Sequence, residues 1–282
     1  MTFLQCLPRP FILFLGRLVS RLAFYCVIRE RNKTLANLKR AFGATKTDKQ
    51  IWQLGLKVFE NMALSACDFI LFPRFDFAEI KRLLIENEID KLGTIEERQG
   101  KGGIIVTAHI GNWELLAATV VAHGYNGFVL GRRLRYDKYN DAVIELRESQ
   151  NVHTYYRDRS PKELLQRLKK GVMLGILPDQ DITEVDGVFV DFLGMPAYTP
   201  TGPAKLAITA KVPIIVAFML REGTDYRFKI DRIIDTQVNS NESKEDAILR
   251  ITQEWSHSIE ECIKKYPEQW VWVHNRWKTQ KI

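Results

Sequence analysis

A chain of 282 residues, 46% hydrophobic and 27% charged, is long enough to bury a sizeable core, and that balance excludes an intrinsically disordered polypeptide. Lys and Arg number 41 against 34 Asp and Glu, and the resulting net charge of +7 points to an acidic partner: nucleic acid, anionic lipid or an acidic carrier protein. The four cysteines, Cys6, Cys26, Cys67 and Cys262, lack any C-x2-C spacing and sit in apolar helical patterns, so buried reduced thiols are expected and a cysteine metal site is not.

The first element is an apolar run over residues 11–28, FILFLGRLVSRLAFYCVI, interrupted by Arg17 and Arg21. Neither uninterrupted piece approaches the roughly 18 residues that a membrane span requires. Arg17 and Arg21 are one helical turn apart and share a face with Ser20, which describes a helix lying in a membrane interface. A core-packed amphipathic helix with two solvated arginines fits the same pattern. A second helix follows through RERNKTLANLKRAF. Thr47 and Gln50 then form a capping box before an apolar-periodic helix that reaches about Phe72 and is stopped by Pro73. The first hundred residues therefore read as helical, without a strand.

From Gly102 the pattern alternates. Strands are expected near 104–108, 127–131, 152–156, 172–177, 213–220 and 226–233, and helices over 113–123, 138–150, 161–170, 201–210 and 243–265. This spacing predicts an α/β fold with a largely parallel central sheet flanked by helices and preceded by a helical region. Gly223, in the short break between the last two strands, reads as a hairpin and makes the sheet mixed. The segment 182–200 carries a glycine turn and exposed-looking Phe189, Phe192 and Leu193; it reads either as an apolar lid or acyl-chain wall or as a short hairpin packed on the core. In the tail, the alternation Trp270, Trp272, His274 suggests a strand with one aromatic face.

The chemistry concentrates in IIVTAHIGNWELLAATVVAHG, residues 104–124. A doubly buried strand ends on His109, a polar turn follows, Asn112 caps a helix, and Glu114 sits in that helix's first turn. Strand tips bind ligands in α/β sheets. His109 is thus the candidate general base, with Glu114 on its other ring nitrogen fixing the tautomer. The spacing alone is weak: about 0.6 His-x4-acid pairs are expected by chance, and the chain has a second, His153 with Asp158, which reads as structural. No serine or cysteine lies beside His109, so the nucleophile is assigned to the substrate. Arg132 and Arg133 follow the next strand onto the same rim, where a guanidinium can meet phosphate or a developing oxyanion. Asp179, Gln180 and Asp181 follow the strand VMLGILP at a third carboxyl tip, suited to orienting a sugar hydroxyl, capping a loop or, least well, holding Mg²⁺.

Taken together, RNKTLANLKRAF, TAHIGNWELL, DQD at 179–181, GVFVDFLGMPA at 187–197 and PEQWVWVHNRWK resemble the lipid A biosynthesis late acyltransferases, over about Gly16 to Lys278. The resemblance implies a glycerol-phosphate-acyltransferase-like fold and transfer of a fatty acyl group from acyl carrier protein or coenzyme A to a glycolipid hydroxyl, most simply of a lipid A precursor. By position, His109 resembles the family's catalytic base and Glu114 its charge partner. Asn112, Arg132, Asp179, Gln180 and Asp181 would contact substrate. An incoming hydroxyl would lose its proton to His109 while a backbone amide or Arg132 meets the oxyanion. No metal or cofactor is implied beyond the thioester co-substrate. The resemblance also implies an acyl carrier protein partner, a glycolipid acceptor, a monomer, no nucleic acid, and a place on the cytoplasmic face of the inner membrane. Residues 1–30 would be the membrane-associating helix and 31–282 the acyltransferase domain, helical to residue 100 and α/β from 101. Family members often carry a longer amino-terminal anchor, so peripheral or monotopic attachment is expected here. A thioesterase-like hydrolase, acylation of a different glycolipid or lysolipid, and a non-catalytic lipid- or nucleic-acid-binding protein are the rival readings.

Overall fold

The computed structural model describes residues 3–94, 96–157 and 160–281. Its amino-terminal part holds α1 (Arg9–Cys26), α2 (Ile28–Phe42), α3 (Asp48–Ile70) and the short α4 (Phe77–Arg82). The capping box expected at α3 is present: the Thr47 hydroxyl accepts from the Gln50 amide and the Gln50 side chain accepts from the Thr47 amide. Pro73 lies in a 3-10 turn just past α3, as its missing N–H and ring require.

The alternating region supplies six strands of a seven-stranded sheet, and a short strand just before it supplies the seventh. In chain order the elements are β1 (Leu84–Asn87), β2 (Gly103–Val106), α5 (Trp113–Ala122), β3 (Gly127–Gly131), α6 (Asp137–Glu148), β4 (His153–Tyr156), α7 (Pro161–Lys169) and β5 (Met173–Ile176). They continue as β6 (Gly187–Phe192), β7 (Met195–Pro200), α8 (Gly202–Ala210), β8 (Ile214–Glu222), β9 (Asp225–Ile234) and α9 (Lys244–Lys265). The sheet order is β1-β9-β8-β2-β5-β3-β4. The run from β8 to β4 is parallel, and β8 turns back into antiparallel β9 through Gly223 at φ +64°, so the sheet is mixed as predicted.

Side chains alternate across this sheet. Ile104 and Val106 of β2, with Ile214, Val216 and Phe218 of β8, enter the core shared with α7, α8, α9 and the hydrophobic faces of α2 and α3. Ile105, Ile215, Ala217 and Met219 enter the opposite core, formed with α4, α5 and the first turn of α1. A period of two with both faces covered explains why these strands read as continuous apolar runs.

Three local expectations need correction, and of the two readings of residues 182–200 the packed hairpin is the one found. The first hundred residues do contain a strand: β1, LIEN, pairs parallel with β9 at the sheet edge. It is short and mostly exposed, so it has no burial pattern to betray it. Residues 187–200 form the two-stranded β6–β7 hairpin, in which Phe192 is buried and Phe189 and Leu193 are half-buried. The tail is not a strand; after a single bridge between Ile110 and Trp270 it runs irregularly, with Trp270 and Trp272 both buried. Of the four free cysteines, only Cys262 is buried, and burial pushes its thiol pKa up to about 12; Cys67 is half-buried, and Cys6 and Cys26 are exposed.

Helix α1 packs on α3 through Ile12, Leu13, Gly16, Ser20 and Phe24. A Cβ on Gly16 would stand 2.7 Å from the Cys67 sulfur, which is why this contact uses glycine. Ser20 belongs to that buried face rather than to a solvated polar stripe, and Arg17 reaches across to Glu60 of α3 at 3.0 Å. The outer face exposes Phe11, Phe14, Leu18, Val19, Leu22 and Tyr25, with Leu22 64% accessible. No single helix among the described residues is long and apolar enough to cross a membrane; α1 and α2 pass that test only together, and they are bent by 89°.

Candidate active site

The carboxyl tips of β2, β5 and β3 converge, because β5 lies between β2 and β3 in the sheet. They deliver His109, Asp179 and Arg132 to one rim. The turn after β2 is tightly held. Gly111 takes φ +60°, and a Cβ there would meet the Met219 carbonyl at 2.0 Å, so glycine is required on two counts. The Asn112 amide donates to that carbonyl at 2.9 Å, the Gly111 amide donates to the Gln269 carbonyl, and the Val271 amide donates to the His109 carbonyl. The Ser65 hydroxyl of α3 donates to the Gly111 carbonyl at 2.8 Å.

Within this frame the carboxylate on the imidazole is Asp179, not Glu114. His109 Nδ1 lies 2.7 Å from Asp179 Oδ1, and the His109 backbone amide donates to Oδ2 at 2.9 Å. The Trp270 indole N–H donates to the same Oδ2 at 2.8 Å. Asp179 is fully buried, while the His109 side chain is 25% accessible. Burial alone would raise the Asp179 pKa, but the imidazole and the Trp270 N–H outweigh it and hold the carboxyl well below the usual carboxylate range. Conversely, burial pulls the His109 pKa down, Asp179 pushes it up and prevails, with Glu114 adding to the rise and Arg147 opposing it. An ionised Asp179 only accepts, so neutral His109 carries its proton on Nδ1 and presents the Nε2 lone pair. Nε2 has no hydrogen bond to the described residues, and the ring lines a cavity of about 780 Å³.

Glu114 is held elsewhere. Arg147 of α6 grips it with Nε at 2.8 Å and Nη2 at 2.7 Å, and Trp113 Nε1 donates to it at 3.2 Å. Burial by itself lowers the Arg147 pKa, and the Glu114 carboxylate more than restores it. Glu114 still faces the His109 cavity, but as half of an ion pair.

The substrate-contact candidates divide. Arg132 and Gln180 line the cavity, and Arg132 is exposed. Asp181 also borders it, but both its oxygens accept from Thr279, from the amide and the hydroxyl, each at 2.8 Å. Asn112 is a correction: it is buried and does not reach the cavity, because its Oδ1 accepts from the Leu115 amide and its Nδ2 donates to the Tyr226 hydroxyl. Arg133 stacks over the Tyr156 ring at 4.3 Å. His153 sits exposed on edge strand β4, and Asp158 lies outside the described residues. Arg147, which holds Glu114, and Trp270, which holds Asp179, are neighbours of the site that sequence reasoning missed. Arg147 had no signal beyond a place in a helix, and Trp270 was visible only as part of an aromatic tail.

The cavity walls have two characters. Leu130, Leu134, Val143, Ile144, Ile176 and Leu206 are its apolar lining, and Arg132, Arg157 and Lys278 bring cations, with Glu184 among them and Lys205 paired to Asp186 at 2.9 Å. Such a space suits an amphiphile with a hydrocarbon part and an anionic part.

Comparison with known proteins identifies the family. The family model described as "Bacterial lipid A biosynthesis acyltransferase" matches residues 1–279. A Mycobacterium tuberculosis phosphatidylinositol mannoside acyltransferase is 25% identical over 182 residues, 63% of this chain and 55% of that relative, so the match spans about half the mycobacterial protein. A Haemophilus influenzae lipid A biosynthesis acyltransferase is 24% identical over 260 residues, 90% of this chain and 77% of the relative. An Escherichia coli lipid A biosynthesis lauroyltransferase is 31% identical over 140 residues, 46% of this chain and 44% of the relative.

Proposed function

Because the chain belongs to the bacterial lipid A biosynthesis acyltransferase family, we propose that it transfers a fatty acyl group from a thioester to a hydroxyl of a glycolipid, with His109 as general base and Asp179 as the carboxylate that orients it. The observation carrying this reading is that His109, with Nδ1 taken by Asp179, lines a cavity of mixed apolar and charged lining while no hydroxyl or thiol of the described residues is hydrogen-bonded to Nε2. A base without its own nucleophile needs one brought by the substrate. The acceptor O–H gives its proton to Nε2 as the oxygen attacks the thioester carbonyl. The tetrahedral oxyanion faces the positive charge of Arg132. The C–S bond then breaks, and the imidazolium returns the proton to the leaving thiolate, so no covalent enzyme intermediate forms.

The acyl chain takes the apolar lining, and the anionic donor or headgroup takes Arg132, Arg157 and Lys278. The exposed Arg132, Arg133 and Arg135 suit an acidic carrier protein as donor. An Ile144→Trp substitution, which bulks out the apolar lining, should raise KM for long-chain donors more than for short ones; equal effects on both would remove the chain from that lining.

The acceptor reading is tested by incubating the purified protein with radiolabelled acyl-carrier-protein thioester, with and without lipid A precursor, and weighing the lipid products. Acyl incorporation into the glycolipid supports transfer. Release of free fatty acid at a rate indifferent to glycolipid would instead make the protein a thioesterase. Mass spectrometry of the product names chain and hydroxyl together.

The outer face of α1 is proposed to lie in the cytoplasmic-side interface of the membrane. A Leu18→Asp/Leu22→Asp pair should weaken sedimentation with anionic phospholipid vesicles at least about 100-fold, since each buried Leu contributes roughly 1.5–3 kcal/mol. Unchanged sedimentation would take α1 off the membrane.

A further inference from the structure

Behind the catalytic turn, on the side away from the cavity, lies a buried ionic centre. Asp68 of α3 has no accessible surface. Arg9, the first residue of α1, reaches both of its oxygens, with Nε at 2.7 Å from Oδ1. Arg221 of β8 donates to Oδ2 at 2.9 Å, and its guanidinium stacks over the Tyr226 ring at 4.6 Å. The Tyr226 hydroxyl donates to the same Oδ2 at 2.5 Å.

The direction of these bonds decides what lies beyond them. Burial, reinforced by the Asp68 charge, holds the Tyr226 pKa far above its ordinary value, so the group is a neutral phenol with one proton. That proton goes to Asp68. Towards Asn112, 3.0 Å away, and towards the Arg221 guanidinium the phenol oxygen can therefore only accept, which reinforces the orientation that the Leu115 amide asks of Asn112, with Nδ2 facing Tyr226 and Oδ1 facing α5. Oδ1 is the acceptor that caps α5 at the Leu115 amide. Asn112 is also the residue whose backbone closes the turn after His109. Asp68 at one end and the Leu115 amide at the other thus fix the polarity of a chain that ends on the loop between the base and Glu114.

We propose that Arg9, Asp68 and Tyr226 are positioning residues for the His109 turn, through which the seating of α1 fixes the orientation of Asn112. Arg9 is the member contributed by α1, so the helix with the exposed apolar face is wired to the turn by one side chain. The inference rests on the acyl-transfer reading only for its kinetic consequence.

The test is hydrogen–deuterium exchange on the full chain, with kinetics in parallel, for the wild type and for Arg9→Ala, Arg9→Lys and Tyr226→Phe. Loss of one helix cap predicts about five- to tenfold faster exchange of the amides of 113–116 in Arg9→Ala and Tyr226→Phe, with α9 unchanged. Arg9→Lys, which keeps the charge at Asp68, should restore most of the protection. Displacement of the turn predicts a fall in kcat of about 10- to 100-fold, with KM for the thioester little changed. Exchange at 113–116 that stays at the wild-type rate in both Arg9→Ala and Tyr226→Phe overturns the proposal, as does an equal rise throughout α9. A wild-type protein without acyl transfer would remove the catalytic reading, and the exchange result would still decide this one.

Discussion

Asp179→Asn is expected to lower kcat for acyl transfer about 10³- to 10⁴-fold, close to the loss from His109→Ala. The size follows from which oxygen is already committed. Oδ2 accepts from two fixed donors, the His109 amide and the Trp270 indole, so an asparagine must place its carbonyl oxygen there. Its NH₂ then faces His109 Nδ1, which has to become the acceptor, and the ring proton moves to Nε2. A ring protonated on Nε2 cannot take a proton from the acceptor hydroxyl. The residual activity should carry a second signature. A general base works when neutral, and Asp179 raises the imidazole pKa, so the acidic limb of wild-type kcat/KM is expected above the ordinary histidine value of about 6.5. Removing the carboxylate charge moves that limb to lower pH. Glu114→Gln, whose carboxylate is already neutralised by Arg147, should cost less and shift the limb less. The reverse ranking in a pH–rate series would return the orienting role to Glu114.

The contrast between these two carboxylates marks where sequence reading stops. His109 was legible because a doubly buried strand, a glycine turn and a capped helix are all local patterns, written in consecutive residues. Glu114 was assigned to it by proximity along the chain. The observed partner, Asp179, is 70 residues away, and it reaches His109 only because β5 inserts next to β2 in the sheet. Strand order is a tertiary fact with no local signature, although the placement of Asp179 at a strand tip was readable. Asn112 shows the same limit from the other side. Its capping role is local and was foreseen, whereas the Tyr226 hydroxyl that occupies its other end belongs to β9. The hairpin between β8 and β9 was legible from its glycine. The edge strand β1 was not, because an exposed four-residue strand is stabilised by its neighbour's hydrogen bonds and not by a hydrophobic face of its own.

Asp68→Asn is the substitution expected to cost the most stability, about 3–5 kcal/mol, which is the usual penalty for stripping one partner from a buried ion pair. The carboxylate serves Arg9, Arg221 and Tyr226 together, and Arg221 has almost no contact with solvent to fall back on. Two of its guanidinium nitrogens, Nε and Nη1, already lack hydrogen-bond partners, so the Asp68 charge and the Tyr226 ring are its main compensation. Against a total stability of about 5–15 kcal/mol, the loss should appear as a fall in the thermal midpoint of about 10 °C or more. A second substitution separates charge from packing. Replacing Arg221 with Met in the Asp68→Asn background removes the stranded cation and should recover a large part of the midpoint, because a buried pair exchanged for apolar volume is often nearly neutral. If Asp68 were important only as a packing volume, Arg221→Met would add to the damage instead. Recovered stability should not bring back full turnover: with Asp68 neutral the Tyr226 hydroxyl loses its charged acceptor, and the Asn112 cap beside His109 keeps only the Leu115 amide to hold its orientation.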